Sequence, residues 1–408
     1  MKRLSTYFFL IIIFGMGIAS SISYLFRVDS YKLNNTVIKD TIWTVNDGSS
    51  IKINEEQSSI IKSYIQYMEE AIDVNLFLKQ SFIEYYGIIQ RLLHRNIVED
   101  ASKENDVYKL SNGSLALGGK VKNVGIGNQE GNLYNKRIIS LKVLDSVVYE
   151  TTGNHLYYIS TPIKINDLNV PYHLLHTNLF KKYLNEIKYN TSIHFYDLDN
   201  DHITSGTRMF YFTDHHWRVE YVFSRMKDIC HFLSVDSSCF ETHNWQLINT
   251  KKIFRGSLAN RVGDYFIEEK DTFKYYTPVF HTKIRASYYS YPRLVKIREG
   301  ELDKTVMFPE MLESDDKYTN LYAFCNHGDN PFVQIYNYRP FVNEHILILG
   351  DSFSSPIVMY LSPVFKDITV IDLRSYKEKN LRKMIMNNKY DKVILIYNKA
   401  IEVMFNFK

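Results

Sequence analysis

The segment that most constrains the fold lies near the carboxyl end, where apolar runs of strand length alternate with helical stretches. His345 to Leu349 is predicted to be a buried strand, Gly350-Asp351-Ser352 a turn, and Pro356 to Phe365 a helix. The alternation continues with a strand at Ile368 to Ile371, a helix at Lys379 to Met386 and a strand at Val393 to Tyr397. Strands that alternate with helices form a mostly parallel sheet covered on both faces. We therefore expect an α/β fold with a mostly parallel sheet flanked by helices.

Upstream of this alternation, the pattern changes twice. From Glu55 to about Arg95, apolar residues recur at helical spacing and predict one or two long amphipathic helices. Beyond Asp106, predicted elements are strands at Leu115 to Leu117 and Leu156 to Ser160, a helix at Asn178 to Glu186 and a helical apolar stripe from Val219 to Leu233. We therefore divide the chain into an amino-terminal segment (1–27), a linker with the long helical region (28–105) and a main domain (106–408).

The first residues predict where the protein works. Met1-Lys2-Arg3 is followed by a run from Tyr7 to Phe26 that contains no charged residue, and about 20 apolar residues are enough to span the hydrocarbon core. Basic residues before the run favour an amino end that stays cytoplasmic and a remainder that is exported. Ala19-Ser20-Ser21 would also suit a signal peptidase, but the length of the run favours an uncleaved, single-pass cell-membrane anchor. If the segment is cleaved, the protein is secreted or periplasmic, so either alternative places the main domain outside the cytoplasm.

Charge and cysteine content exclude several classes of function. The net charge is +4 for 408 residues, with lysines and arginines spread along the chain, which argues against a nucleic-acid partner. Cys230, Cys239 and Cys325 lack metal-ligand spacing, so we predict no metal centre and no cofactor. Cys230 and Cys239 are close enough to form a disulfide in an oxidising compartment; three buried, inert thiols are the favoured alternative.

The turn Gly350-Asp351-Ser352-Phe353-Ser354 is the first candidate for chemistry. It follows a predicted strand and opens a predicted helix, and ligands of open α/β sheets bind beyond the carboxyl ends of the strands. Ser352 would present its hydroxyl above the sheet, while its own N–H and the helix amino end could stabilise an oxyanion. The alternative is that Asp351 or Ser352 only caps the helix.

The string Thr213-Asp214-His215-His216-Trp217 supplies what a serine nucleophile needs. A serine hydroxyl requires an imidazole that takes its proton, and the imidazole requires a carboxylate that fixes its tautomer. An Asp two residues before a His can place both side chains on one side of an extended loop. Adjacent histidines could also bind a metal, but no further ligand is present at suitable spacing. A polar residue of this string could instead cap the helix that begins near Arg218.

Together, Asp-His-His-Trp and the downstream Gly-Asp-Ser-Phe-Ser resemble the DHHW proteins, relatives of the alginate O-acetyltransferases (the AlgX and AlgJ group) in the SGNH-hydrolase-like superfamily. The resemblance covers roughly Leu110 to the end and implies an SGNH-like fold with a circularly permuted order of motifs. It implies a catalytic triad of Asp214, His216 and Ser352, and it gives no role to His215. Weaker matches occur at Phe254-Arg255-Gly256-Ser257-Leu258, Gly328-Asp329-Asn330-Pro331 and Ile371 to Tyr376.

The resemblance also implies a function. Ser352 would form an acyl-enzyme and pass an acetyl group to hydroxyls of a cell-surface or exported polysaccharide. A multi-pass membrane O-acyltransferase would be the partner that supplies acetyl groups, because acetyl-CoA is absent outside the cytoplasm. One alternative is an acetyl esterase with the same triad, distinguished by access of water to the acyl-enzyme. Another is a non-catalytic, membrane-tethered glycan-binding protein, expected if Ser352 and His216 do not meet.

Three further residues are candidates for substrate binding or oxyanion stabilisation. Arg374 lies just past a predicted strand and could orient substrate, although a structural role fits equally. Asn398 ends another predicted strand and could donate from its side chain. Trp217 could stack on a sugar ring, or it could wedge the loop in place at the start of a helix.

Overall fold

The computed structural model describes residues 79–99, 105–119, 127–162, 164, 178–198, 208–290, 292–376 and 381–398. The predicted anchor (1–27) and most of the predicted linker and helical region (28–105) lie outside these ranges. Within them, no helix is long and apolar enough to span a membrane. The chain divides into two units, 1–85 and 86–408, and everything from Ile97 onward belongs to the second.

The strands are β1 (Ile97–Val98), β2 (Asn105–Lys109), β3 (Leu115–Gly119), β4 (Tyr157–Thr161), β5 (His194–Asp197), β6 (Trp245–Phe254), β7 (Asp271–Pro278), β8 (Ile284–Ser290), β9 (Arg293–Gly300), β10 (Phe332–Asn337), β11 (Val342–Gly350), β12 (Phe365–Ile371) and β13 (Lys392–Asn398). The α-helices are α1 (Lys79–Leu92), α2 (Gly127–Thr152), α3 (Asn178–Asn190), α4 (Val219–Ser224), α5 (Met226–Phe232), α6 (Ala259–Val262), α7 (Leu302–Thr305), α8 (Glu310–Glu313), α9 (Ser355–Leu361) and α10 (Leu381–Asn387). Short 3₁₀ turns lie at Ser238–Phe240, Thr242–Asn244, Asp264–Phe266, Leu321–Phe324 and Ser352–Ser354.

An eight-stranded sheet in the order β5-β4-β13-β11-β12-β10-β8-β9 forms the centre of the second unit. The first five strands in this order are parallel to one another, and β10, β8 and β9 continue the sheet with antiparallel pairing. The predicted α/β fold with a mostly parallel sheet is therefore confirmed. The antiparallel part was not predicted, because alternation of apolar residues does not specify the direction of pairing.

Helices cover both faces of the parallel strands. Alternate side chains of β11, Ile346 and Ile348, join the apolar core that contains α4, α5 and α9. The intervening Leu347 and Leu349 join the opposite core, which contains α2, α3 and α10. This period of two explains the continuous apolar run, since a strand covered on both faces buries every side chain.

Several predicted boundaries differ from the structure. The helix predicted to reach Phe365 ends at Leu361, because Pro363 has no N–H to continue the helical hydrogen bonds. The stripe after Trp217 forms two helices, α4 and α5, that meet at Arg225 rather than one. The long helix α2 was missed, although the spacing of its buried residues Leu141, Leu144 and Val148 is helical.

Candidate active site

Ser352 lies at the carboxyl edge of the parallel strands, immediately after β11. Asp351 caps the following turn: its Oδ1 accepts from the Phe353 N–H at 2.9 Å, and its carbonyl accepts from the Ser354 N–H at 2.9 Å. A Cβ on Gly350 would lie 2.6 Å from the Ser354 Cβ, so this turn requires glycine through close approach. The capping role predicted as an alternative therefore belongs to Asp351, which leaves the partly exposed hydroxyl of Ser352 available for another partner.

That partner is His216. The His216 Nε2 lies 2.8 Å from the Ser352 Oγ, and its Nδ1 lies 2.6 Å from the Asp214 Oδ1. Both distances are within hydrogen-bond reach. The three residues from two motifs, separated by 136 positions in the chain, therefore form one continuous Asp-His-Ser relay.

The Asp214 carboxylate is almost fully buried, with 2% of the residue exposed. Its Oδ1 also accepts from the backbone N–H of His216 at 2.9 Å, and its Oδ2 accepts from the N–H of Ser257 at 2.6 Å. Burial by itself raises the pKa of this carboxyl, but the charges of His216 and His215 and the hydrogen bonds from His216 hold the pKa well below its usual range. Asp214 is therefore ionised and fixed on both oxygens.

Gly256 and Ser257 form a support that the sequence indicated only as a weak family match. A Cβ on Gly256 would lie 2.5 Å from the Asp214 Cβ and closer still to the Thr213 carbonyl oxygen. The Gly256 N–H donates to the Thr213 Oγ1 at 3.1 Å. Glycine thus lets the following amide, that of Ser257, reach Asp214.

Aromatic rings enclose the imidazole of His216. The ring of Tyr322 stacks on it, with centroids 4.2 Å apart and planes inclined by 19°. Phe353 and His215 approach at centroid distances of 4.9 and 4.0 Å. Tyr322 is buried, and its hydroxyl has no hydrogen-bond partner among the described residues. Tyr322 belongs to no recognised sequence motif, so its contact with His216 could not be predicted from the sequence.

Asp214, His215 and His216 also place potential metal-ligand atoms within 4.8 Å of one another. Burial and a positive charge on His216 together lower the pKa of His215 to about 3, against the opposing effect of Asp214. His215 is therefore neutral at pH 7. However, both nitrogens of His216 already have partners in Asp214 and Ser352, so a metal would have to displace the relay.

The other three candidate residues are Trp217, Arg374 and Asn398. Trp217 is fully buried and donates its indole N–H to the Phe353 carbonyl at 3.1 Å; this position fits the wedge interpretation and leaves no ring face open to a sugar. Arg374 forms a forked pair with Asp372, at 3.0 Å from Nε to Oδ1 and 2.6 Å from Nη2 to Oδ2, and lies 3.3 Å from Asp329. Burial lowers the pKa of Arg374, but the hydrogen bonds that it donates to Asp372 raise the pKa overall.

Asp372 and Asp329 thus hold Arg374 in an ion network, which fits its structural interpretation. Asn398 ends β13, where its backbone pairs with Thr161 of β4.

Cys230, Cys239 and Cys325 are free and buried, which confirms the favoured interpretation of three unbridged thiols. Burial raises the pKa of Cys239 to about 12, so this thiol is unreactive.

Comparison with solved structures identifies the fold. PatB1 of Bacillus cereus, solved with a sulfonyl adduct, matches with a TM-score of 0.55 at 20% identity, over 74% of this chain and 99% of that one. A DHHW family protein of Eubacterium siraeum matches with a TM-score of 0.55 at 16% identity, over 76% and 95% of the two chains. The O-acetyltransferase domain of Pseudomonas putida AlgJ gives a TM-score of 0.44 at 10% identity, over 72% and 90%.

No protein-family model matches the sequence, and no curated protein does. The structural match to the Eubacterium siraeum protein confirms the predicted resemblance to the DHHW proteins at the level of the fold.

Proposed function

We propose that this protein is an extracytoplasmic O-acetyltransferase that passes an acetyl group through Ser352 to hydroxyls of a cell-surface or exported polysaccharide. The observation that carries the proposal is the relay in which His216 contacts Asp214 at 2.6 Å and Ser352 at 2.8 Å. A non-catalytic glycan-binding protein would have no need for this arrangement. The likeness to a DHHW family protein supports the fold on which the relay is placed.

In the first half-reaction, the Ser352 Oγ attacks the carbonyl carbon of an acetyl ester while the His216 Nε2 takes the hydroxyl proton. The ester C–O bond then breaks, His216 returns the proton to the leaving oxygen, and acetyl-Ser352 remains. Asp214, held by the Ser257 amide, keeps the proton of the neutral imidazole on Nδ1 and stabilises the imidazolium. The Ser352 N–H at the start of its turn is the expected first oxyanion donor.

In the second half-reaction, His216 deprotonates a sugar hydroxyl, which attacks the acetyl carbonyl. The bond from Ser352 to the acetyl group breaks, and the proton held by His216 returns to the serine. The acetyl donor is proposed to be a multi-pass membrane O-acyltransferase, since acetyl-CoA is absent outside the cytoplasm. Anchoring through residues 1–27 would keep the two proteins in the same membrane.

The test is acetylation of the surface polysaccharide in cells that carry Ser352→Ala at unchanged protein level. Loss of acetyl groups is the expected result, whereas wild-type acetylation would exclude the serine mechanism. Ser146→Ala is the matched control, because Ser146 is an exposed residue of α2. Transfer is separated from hydrolysis by giving the purified protein an acetyl ester with and without glycan acceptors. Fast hydrolysis that does not respond to acceptor would assign the same triad to an acetyl esterase.

A further inference from the structure

A buried lysine lies behind the D-H-H-W loop. Lys164 follows β4 by three residues and is 8% exposed. Its Nζ donates to the carbonyl oxygens of Asp214 at 2.8 Å and Phe212 at 3.1 Å, and also to that of Tyr211. An ammonium group carries three N–H donors, so the three carbonyls match its full donor capacity.

The contacts of Lys164 stabilise one particular course of the backbone. Carbonyl dipoles that point at a common centre repel one another unless a cation lies between them. The ammonium therefore stabilises the conformation in which residues 211, 212 and 214 turn their oxygens inward. The opposite side of this segment is held separately, through the Phe212 N–H that donates to the Asp271 Oδ2 at 2.5 Å.

Asp214 connects this lysine to the relay. Its carbonyl accepts from Lys164 at 2.8 Å, and its carboxylate contacts the His216 Nδ1 at 2.6 Å. A shift of the Asp214 backbone therefore displaces the carboxylate relative to the imidazole. Misplacement of a catalytic group by about 1 Å can cost roughly 10²-fold in rate.

We propose that Lys164 is a positioning residue of the triad: its ammonium fixes the Tyr211–Asp214 backbone so that the Asp214 carboxylate meets His216. The inference rests on the proposed function, because it gives Ser352 its nucleophilic role. Burial and the charge of Arg208 lower the pKa of Lys164 to about 7, against the opposing effect of Asp214. The three carbonyl acceptors oppose this effect, because hydrogen bonds to the charged form stabilise the ammonium.

The experiment measures how fast a sulfonyl fluoride, phenylmethanesulfonyl fluoride, modifies Ser352, because this reaction needs neither acetyl donor nor glycan. Lys164→Met removes the ammonium at similar side-chain length and is expected to slow the labelling by about 10- to 100-fold. Lys164→Arg keeps the charge but presents a planar fork of donors, so an intermediate rate is expected. Lys142→Met is the control, because Lys142 is an exposed residue of α2 paired with Glu186.

Two further readouts separate positioning from general stability. With a chromogenic acetyl ester, Lys164→Met should lower kcat while KM changes by less than about twofold. In Lys164→Ala, added methylammonium should restore labelling in a saturable way, since it can occupy the space between the carbonyls. Equal labelling rates in wild type, Lys164→Met and Lys164→Arg would overturn the inference.

If Lys164→Met does not fold, Lys164→Arg and the methylammonium response decide the question. Labelling of Lys164→Ala at the wild-type rate without methylammonium would refute the positioning role. Wild-type protein that is not labelled at Ser352, although folded, would instead contradict the proposed function. The two failures are therefore distinguishable.

Discussion

Asp214→Asn is the substitution whose effect the structure specifies most fully. In the wild type, the Asp214 Oδ1 accepts from the His216 Nδ1 and backbone N–H, and the Oδ2 accepts from the Ser257 N–H. An asparagine has one acceptor oxygen and one donor NH₂. If the NH₂ faces Ser257, the oxygen stays on His216 but lacks the negative charge that stabilises the imidazolium. If the NH₂ faces His216, it opposes the backbone N–H there and stabilises the tautomer with its proton on Nε2. That tautomer cannot accept the proton of Ser352.

The expected loss in kcat is about 10⁴-fold, the size found when a triad aspartate is replaced and the imidazole takes the wrong tautomer. This corresponds to about 5 kcal/mol of transition-state stabilisation at 1.36 kcal/mol per decade. The assay is hydrolysis of a chromogenic acetyl ester, together with sulfonyl fluoride labelling of Ser352. Asp236→Asn is the control, because Asp236 is exposed and accepts from the Ser238 N–H, a role that asparagine also fills. Activity of Asp214→Asn within about threefold of wild type would refute the orientation argument.

Three further outcomes follow from the surroundings of this relay. Gly256→Ala places a Cβ 2.5 Å from the Asp214 Cβ. The free energy of unfolding, measured by urea denaturation, should fall by about 1–3 kcal/mol. An unchanged denaturation midpoint would contradict the close approach of the two residues. Tyr322→Phe removes a buried hydroxyl without a described partner and should leave the rate of ester hydrolysis unchanged. Tyr322→Leu removes the ring stacked on His216 and should slow ester hydrolysis. Equal rates for the two variants would argue against a role of the stacked ring. The pKa of His215 is lowered from 6.5 to about 3 in the folded protein. As pH falls, His215 therefore takes up a proton in the unfolded chain before it does so in the folded protein. The free energy of unfolding should decrease between pH 6.5 and about pH 3 for this reason. His215→Leu should flatten that decrease in denaturation series from pH 7 to 4, and an identical slope in both proteins would contradict the lowered pKa of His215.

The local pattern of the sequence was sufficient for the elements next to Ser352. A continuous apolar run can only be a strand covered on both faces or a buried helix segment, and the glycine, aspartate and serine that follow His345–Leu349 end it at a turn. The structure has β11 and its turn at these positions. The pairing of Asp214 with His216 is also local, since the two residues are two positions apart in the chain. These features depend on neighbours in sequence, so sequence could predict them.

Tertiary structure decided what no local pattern contains. The contact between His216 and Ser352 spans 136 positions and depends on how β11 and the loop before α4 are brought together. The Ser257 amide, the Tyr322 ring and the Lys164 ammonium come from three other segments of the chain, and their local sequence does not indicate which partner each one contacts. The burial of Trp217 has the same origin, because Phe353 contacts it from a distant turn. The sequence thus determined which groups can perform the chemistry, and the packing of distant segments determined how they are held, because long-range contacts depend on the whole arrangement of the chain.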